Sequence, residues 1–213
     1  MNLPLEKRLK KRAHVELAYL QDELVEIMYS LDPEIILHGG TAIWRCFGGN
    51  RFSEDLDFYG KKADRAEFLK AFESRGLQVE KLKSTGNIFF SKVTDGRSIA
   101  RIEINFAIKK KAVASAYERT DGSTLEIFAL PIEELVREKL SAYAGRRRIR
   151  DIYDLLVLTG KQERYPKDVQ KQAKTMFENP PEPVDEQDLK ALVYAGAVPS
   201  FRQMAETIRR RIG

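Results

Sequence analysis

Asp55 and Asp57 stand two residues apart in the stretch Ser53-Glu54-Asp55-Leu56-Asp57-Phe58-Tyr59. Read as a strand, this stretch puts both carboxylates on one face and Leu56 and Phe58 on the other, because alternate side chains share a face. The apolar pair then packs on a core. Two carboxylates that close repel each other and need a proton or a cation between them. A hard cation that takes oxygen ligands, Mg²⁺ or Mn²⁺, is the natural partner. Upstream, Ile35-Ile36-Leu37 reads as a short buried strand, followed by Gly39-Gly40-Thr41. Glycine lets a backbone turn sharply and come close to a ligand. Thr41 is expected to cap a helix over 42–47, which Gly48-Gly49-Asn50 ends. The start of such a helix offers N–H groups and partial positive charge, which suits a triphosphate. Gly39, Gly40 and Thr41 are therefore candidate phosphate-binding residues. A D-x-D or a glycine pair alone is common on solvated strands and turns. The ordered combination of strand, glycine turn, short helix and acidic strand is what points to chemistry.

Further groups could join this site. In Arg101-Ile102-Glu103-Ile104-Asn105-Phe106, the isoleucines and Phe106 point one way and Glu103 the other. Glu103 is thus available as a third carboxylate on a neighbouring strand, or is a surface acid paired with Arg101 or a lysine. Asn105 stands where a common nuclease arrangement would have lysine, two residues after the acid. Lys139 lies beside the apolar face of a helix that Pro131 starts, and a lysine there can reach a triphosphate as a point charge. Arg146-Arg147-Arg148-Ile149-Arg150 is the densest basic patch. Asp151 and Asp154, three apart, share a helix face. They either pair structurally, Asp151 with Arg147, or hold Lys139 or Arg148 in place or help bind an acceptor.

Two motifs carry a resemblance. Gly39-Gly40-Thr41 with Arg51-Phe52-Ser53-Glu54-Asp55-Leu56-Asp57-Phe58 resembles the AbiEii-type toxin nucleotidyltransferases of the DNA polymerase β-like superfamily. Lys139 followed by Arg146-Arg147-Arg148-Ile149-Arg150-Asp151-Ile152-Tyr153-Asp154-Leu155 is similar to that family's lysine and basic D-x-x-D helix. The wider superfamily usually has Gly-Ser where this chain has Gly40-Thr41, and threonine keeps the hydroxyl. The resemblance implies an α+β, polymerase β-like nucleotidyltransferase fold, with a mixed β-sheet flanked by helices and a helical C-terminal region. It implies a metal-dependent enzyme in which Asp55, Asp57 and Glu103 hold Mg²⁺ or Mn²⁺. Gly39, Gly40 and Thr41 would bind a nucleoside triphosphate, and Lys139 would neutralise the leaving pyrophosphate. It further implies a toxin that transfers nucleotides to RNA, such as a tRNA end, and an antitoxin partner. Arg146, Arg147 and Arg148, with Asp151 and Asp154 supporting, are candidate acceptor-binding residues. The alternatives are a non-catalytic nucleotide- or RNA-binding module on the same fold and a metal-dependent nuclease.

The elements that must position these groups follow from pattern. The chain has 213 residues, 43% hydrophobic and 32% charged, with a net charge of +5. Its pI of about 9.2 fits a nucleotide or nucleic-acid partner. Cys46, the sole cysteine, excludes an internal disulfide and a cysteine zinc cluster. No apolar run is long enough for a membrane span, and nothing resembles a signal peptide, so a cytoplasmic location is expected. Two domains are expected: 1–130, a nucleotidyltransferase domain with an N-terminal helix, and 131–213, a helical domain. Residues 4–31 read as one long helix ended by Asp32-Pro33. A helix capped by Asp64 and stopped by Gly76 is expected next. Strands are predicted over 77–82, 88–94, 98–108 and 125–129. Helices are predicted from Pro131 to about 144, with Gly145 as the stop, then through 159, and roughly over 166–178, 185–195 and 199–212.

Overall fold

The computed structural model describes residues 3–62 and 64–212. Its contacts divide the chain into two units: Met1–Cys46 with Ser53–Leu130, and Phe47–Phe52 with Pro131–Gly213.

The first unit is built on a mixed seven-stranded sheet, which gives the chain its α+β class. Its elements are α1 (Leu5–Arg8), α2 (Arg12–Leu31), β1 (Ile36–His38), α3 (Gly39–Cys46), β2 (Asp55–Tyr59), α4 (Arg65–Ser74), β3 (Gln78–Ser84), β4 (Ile88–Thr94), β5 (Ile99–Asn105), β6 (Val113–Glu118) and β7 (Thr124–Ala129). The strand order is β3-β4-β5-β2-β1-β7-β6. β2 runs parallel to β5 and antiparallel to β1, while β1 runs parallel to β7. Leu56, Phe58, Ile102, Ile104 and Phe89 project from one face and are buried with Leu24, Met28, Phe68 and Phe72 of α2 and α4. Burying an aromatic or aliphatic side chain of this size is worth about 1.5–3 kcal/mol. That face is fixed by alternation, so the other face must carry Asp55, Asp57 and Glu103.

The N-terminal segment is not one helix. α1 ends at Leu9, whose backbone is extended, and α2 starts only after Lys11. Tertiary bonds decide this. The Glu6 amide donates to the Thr120 carbonyl, and Arg8 pairs with Glu118, so α1 is tied to the β6–β7 hairpin. The strand β6 lay outside the sequence-based expectation, because Val113-Ala114-Ser115-Ala116 has no bulky alternation. Asp64 does cap α4, accepting a bond from the Ala66 amide at 2.8 Å.

The second unit is helical: α5 (Ile132–Arg146), α6 (Ile149–Thr159), α7 (Lys167–Glu178), α8 (Leu189–Leu192) and α9 (Phe201–Ile212). Pro131 immediately precedes α5 and makes no side-chain capping bond, and Gly145 does not stop the helix. The helix continues through Arg146, and Arg147 takes the left-handed conformation, φ 48°. Its amide still closes onto the Tyr143 carbonyl, and the Val184 amide donates to the Arg147 carbonyl. These bonds hold a strained residue where glycine would be relaxed. The segment 47–52 joins this unit through the Phe52 amide, which donates to the Leu192 carbonyl, and through an Arg51–Val193 bridge. Among the described residues, no helix is long and apolar enough to cross a membrane.

Candidate active site

Three adjacent strands bring His38, Asp57 and Glu103 into one row. His38 on β1 is the register partner of Asp57 on β2, and Asp57 is the partner of Glu103 on β5. Partners in register share a sheet face. Asp55 stands one step along, opposite Arg101. Asp55, Asp57 and Glu103 therefore share one face of the sheet, with Asp57 and Glu103 side by side and Asp55 two residues along β2.

The start of α3 is fitted to this row. Gly39 has φ +70°, and a Cβ built there would lie 2.4 Å from Asp57 Oδ2. Only glycine satisfies both conditions. α3 begins at Gly39 itself, immediately after β1, and not at Ala42. Thr41 consequently lies inside the first turn and caps nothing. It is fully buried, and its hydroxyl donates to the Asp55 carbonyl at 2.6 Å. The hydroxyl thus fixes the start of β2, and the first-turn amides of α3 are the groups a helix leaves for an anion.

Two further residues hold this geometry, and neither was singled out from sequence. Gln21 on α2 donates to the Ser53 and Glu54 carbonyls at 2.9 and 3.0 Å, pinning the chain as it enters β2. Arg45 on α3 is buried, pairs with Asp22, and donates to Tyr117 Oη at 3.0 Å and Thr120 Oγ1 at 3.1 Å. That network locks α3 to α2 and the β6–β7 hairpin. Long-range bonds of this kind leave no local periodic signal.

Charge is unevenly balanced in the row. Arg101 Nε lies 2.6 Å from Asp55 Oδ1, yet that buried oxygen receives no aligned hydrogen bond. The contact is between charges, without the directional component. Burial raises the Glu103 carboxyl above its ordinary value, and Asp57 adds to the rise, against a lowering by His38. His38 in turn stacks on Tyr59, with ring centres 4.0 Å apart. Among the described residues, no three His, Cys, Asp or Glu side chains already converge as a metal cluster. The donor set nonetheless suits a hard divalent cation: Asp57 and Glu103 stand in register, Asp55 presents a buried oxygen two residues along that the Arg101 charge approaches without an aligned hydrogen bond, and the Gly39 backbone beside Asp57 leaves room for no side chain.

Lys139 lies in the second unit, in a charge network of its own. It is 6% exposed, and its Nζ lies 2.8 Å from Asp154 and 3.5 Å from Asp151. Arg51 grips Asp154 with two bonds of 2.6 Å, and Arg146 grips Asp151 with bonds of 2.8 and 2.7 Å. Burial alone would raise the Asp154 carboxyl, but Arg51 and Lys139 outweigh it and hold it below its ordinary value. The pairing of Asp151 is thus with Arg146 and Lys139, because Arg147 has left the helix. Arg148 pairs with Asp185 at 3.3 Å.

Residues 24–212 match the family described as nucleotidyl transferase AbiEii toxin, of a type IV toxin–antitoxin system. The crystal structure of JHP933 from Helicobacter pylori is similar, with TM-score 0.66 and 21% identity over 92% of this chain and 90% of that one. So is MenT4, a nucleotidyltransferase toxin from Mycobacterium tuberculosis, with TM-score 0.60 and 18% identity over 92% of this chain and 81% of that one. At such identities the likeness establishes the fold. No curated protein sequence gives a significant match.

Proposed function

The chain belongs to the AbiEii nucleotidyltransferase toxin family, and from that premise we propose that it moves a nucleotide from a nucleoside triphosphate to an RNA end, such as that of a tRNA. We further propose that Asp55, Asp57 and Glu103 hold Mg²⁺ or Mn²⁺ for this transfer. The observation that supports the reading best is the seating of Gly39 against Asp57, with Glu103 in register beside it. It sets the start of a helix, which favours anions, directly against the Asp57 carboxylate, which favours cations, with Glu103 on the next strand. A phosphate bridged to a cation needs both.

A divalent ion bound there would stabilise the attacking and leaving oxygens of an in-line displacement. The protein's own groups do the positioning. The backbone amides at Gly39, Gly40 and Thr41 receive phosphate oxygens. Glu103 helps to activate the acceptor hydroxyl by accepting its proton at a carboxylate oxygen. Lys139 is assigned to the leaving pyrophosphate by the family resemblance alone, with Asp151 and Asp154 orienting its ammonium. Arg147 and Arg148, both exposed, meet acceptor phosphates, whereas Arg146 steadies Asp151. The toxin–antitoxin character of the family implies an antitoxin that counters this activity.

One observation favours a second reading, a non-catalytic binder: Arg101 already neutralises Asp55. Incubating the protein with total cellular RNA, Mg²⁺ and each labelled triphosphate in turn separates the cases. Labelled RNA with pyrophosphate release, lost in Asp57→Asn, supports transfer. Shortened RNA identifies a nuclease, and retention of nucleotide without labelling identifies a binder.

A further inference from the structure

The uncovered face of the first unit does not end at the carboxylates. Asp55, Asp57 and Tyr59 alternate on β2 and share that face, so Tyr59 continues the row about 7 Å beyond Asp57. A cavity of about 470 Å³ opens there, lined among others by Ile36, Tyr59, Phe106, Ile108, Lys110 and Phe128. This volume lies within the range of small-molecule sites. Ile108 is 44% exposed and Phe128 40% exposed, so both leave apolar surface open where they line the cavity. Lys110 Nζ stands 5.8 Å from the centre of the Tyr59 ring, and Lys109 also lines the cavity. Asp32 and Glu34 also line it, but Lys61 engages both, its amide donating to Asp32 and its ammonium to Glu34. Apolar and aromatic walls with Lys109 and Lys110 beside them match a nucleobase joined to a phosphate.

Direction decides which nucleobase. β1 runs toward Gly39, and Tyr59 pairs with Ile36, two residues before His38. The start of α3 and the cavity therefore lie on opposite sides of the Asp57–Glu103 pair along the sheet. In an in-line displacement the attacking and leaving oxygens lie on opposite sides of the reacting phosphorus. If the phosphates rest on the start of α3, the acceptor hydroxyl must arrive from the Tyr59 side. We propose that this cavity holds the terminal nucleobase of the acceptor strand, stacked against Phe128, with Lys109 and Lys110 on the adjoining phosphate. This assignment rests on the catalytic reading above and adds to it a subsite for a single-stranded acceptor end.

The test uses Phe128→Ala in the full chain. Phe128 is partly exposed, and Tyr29 bonds its backbone carbonyl and not its side chain. The acceptors are a short single-stranded RNA and the same RNA with an abasic 3′-terminal nucleotide. The expected result is an acceptor KM raised on the order of tenfold, the scale of one lost base stack, with the triphosphate KM unchanged. The abasic RNA should be equally poor for wild type and variant. A raised triphosphate KM instead would give the cavity to the incoming nucleotide and overturn the proposal. Unchanged constants, or wild type indifferent to the missing base, would overturn it too. Binding of the two RNAs without triphosphate is measured alongside. If the wild type transfers nothing yet prefers the intact end through Phe128, the catalytic reading fails and the subsite stands. If binding shows no preference, the subsite falls.

Discussion

Gly39→Ala is the sharpest probe of the site. The built Cβ would lie 2.4 Å from Asp57 Oδ2, and 3.2 and 3.3 Å from Asp57 Cγ and Cβ. Real Cβ contacts essentially never fall below 3.0 Å, so the oxygen must retreat by at least 3.0 − 2.4, or about 0.6 Å. The close approach of Cγ and Cβ means that rotating the carboxylate alone gives little relief. A misplacement near 1 Å costs a reaction about a hundredfold, and a loss of that order in transfer rate is expected. Alanine at φ +70° also costs about 1–2 kcal/mol in conformation. For a chain of this length that lowers Tm by roughly 2–8 °C. Gly76→Ala is the control. Gly76 has φ +74° with nothing within 4 Å, so it carries the same backbone penalty without the collision. Both variants should melt earlier, and only Gly39→Ala should lose transfer of label from triphosphate to RNA. If Gly39→Ala kept a rate within severalfold of Gly76→Ala, the contact between the helix start and Asp57 would have no part in catalysis.

Other outcomes are expected. Arg51→Ala leaves Asp154 with Lys139 alone in a buried setting, and urea denaturation should show a loss of about 3–5 kcal/mol; a change inside the measurement error would dismiss the network as a stabiliser. Arg146→Ala should lower Tm through Asp151 while leaving the salt dependence of RNA binding unchanged, whereas Arg147→Ala should flatten that slope by about 0.7 for one lost phosphate contact. The opposite assignment of the two effects would exchange their roles. Burial pushes the Cys46 thiol up to about 12, against a lowering by Arg45. The folded chain therefore holds this proton more tightly than the unfolded one. The stability it contributes is whole below pH 9, the ordinary value, and is lost as pH rises toward 12. Wild type should thus lose more Tm than Cys46→Ala across that window, and parallel curves would disprove it.

The face that carries the carboxylates was legible because period-two alternation is a local property. Leu56 and Phe58 fix the buried side of β2, and Ile102 and Ile104 that of β5, so the positions of Asp55, Asp57 and Glu103 follow. That β2 and β5 are neighbours was not local information; it came from the resemblance, and the register is seen only in the fold. Where local rules competed with distant partners they failed. The break after Leu9 comes from bonds to the β6–β7 hairpin. Thr41 looks like a cap until Asp55 claims its hydroxyl. Gly145 looks like a helix stop, but bonds to Tyr143 and Val184 move the turn to Arg147. His38, Gln21 and Arg45 carried no motif, since each acts through a partner on another element.

The route of the chain between its two units bears on its synthesis. Phe47–Phe52 belongs with residues made far later, beginning at Pro131. Arg51 and the Asp154 that grips it are 103 positions apart. On the ribosome, the arginine emerges early and stays in water while the whole sheet is translated. The second unit completes its buried charge network only when α6 arrives. A protease cut or a stop after Leu130 would therefore not release two finished halves. It would leave Arg51 on one fragment and Asp154 on the other, with a carboxylate in the helical piece deprived of its strongest partner. Recombination or truncation at that point therefore divides the second unit, whose buried charge network spans the cut.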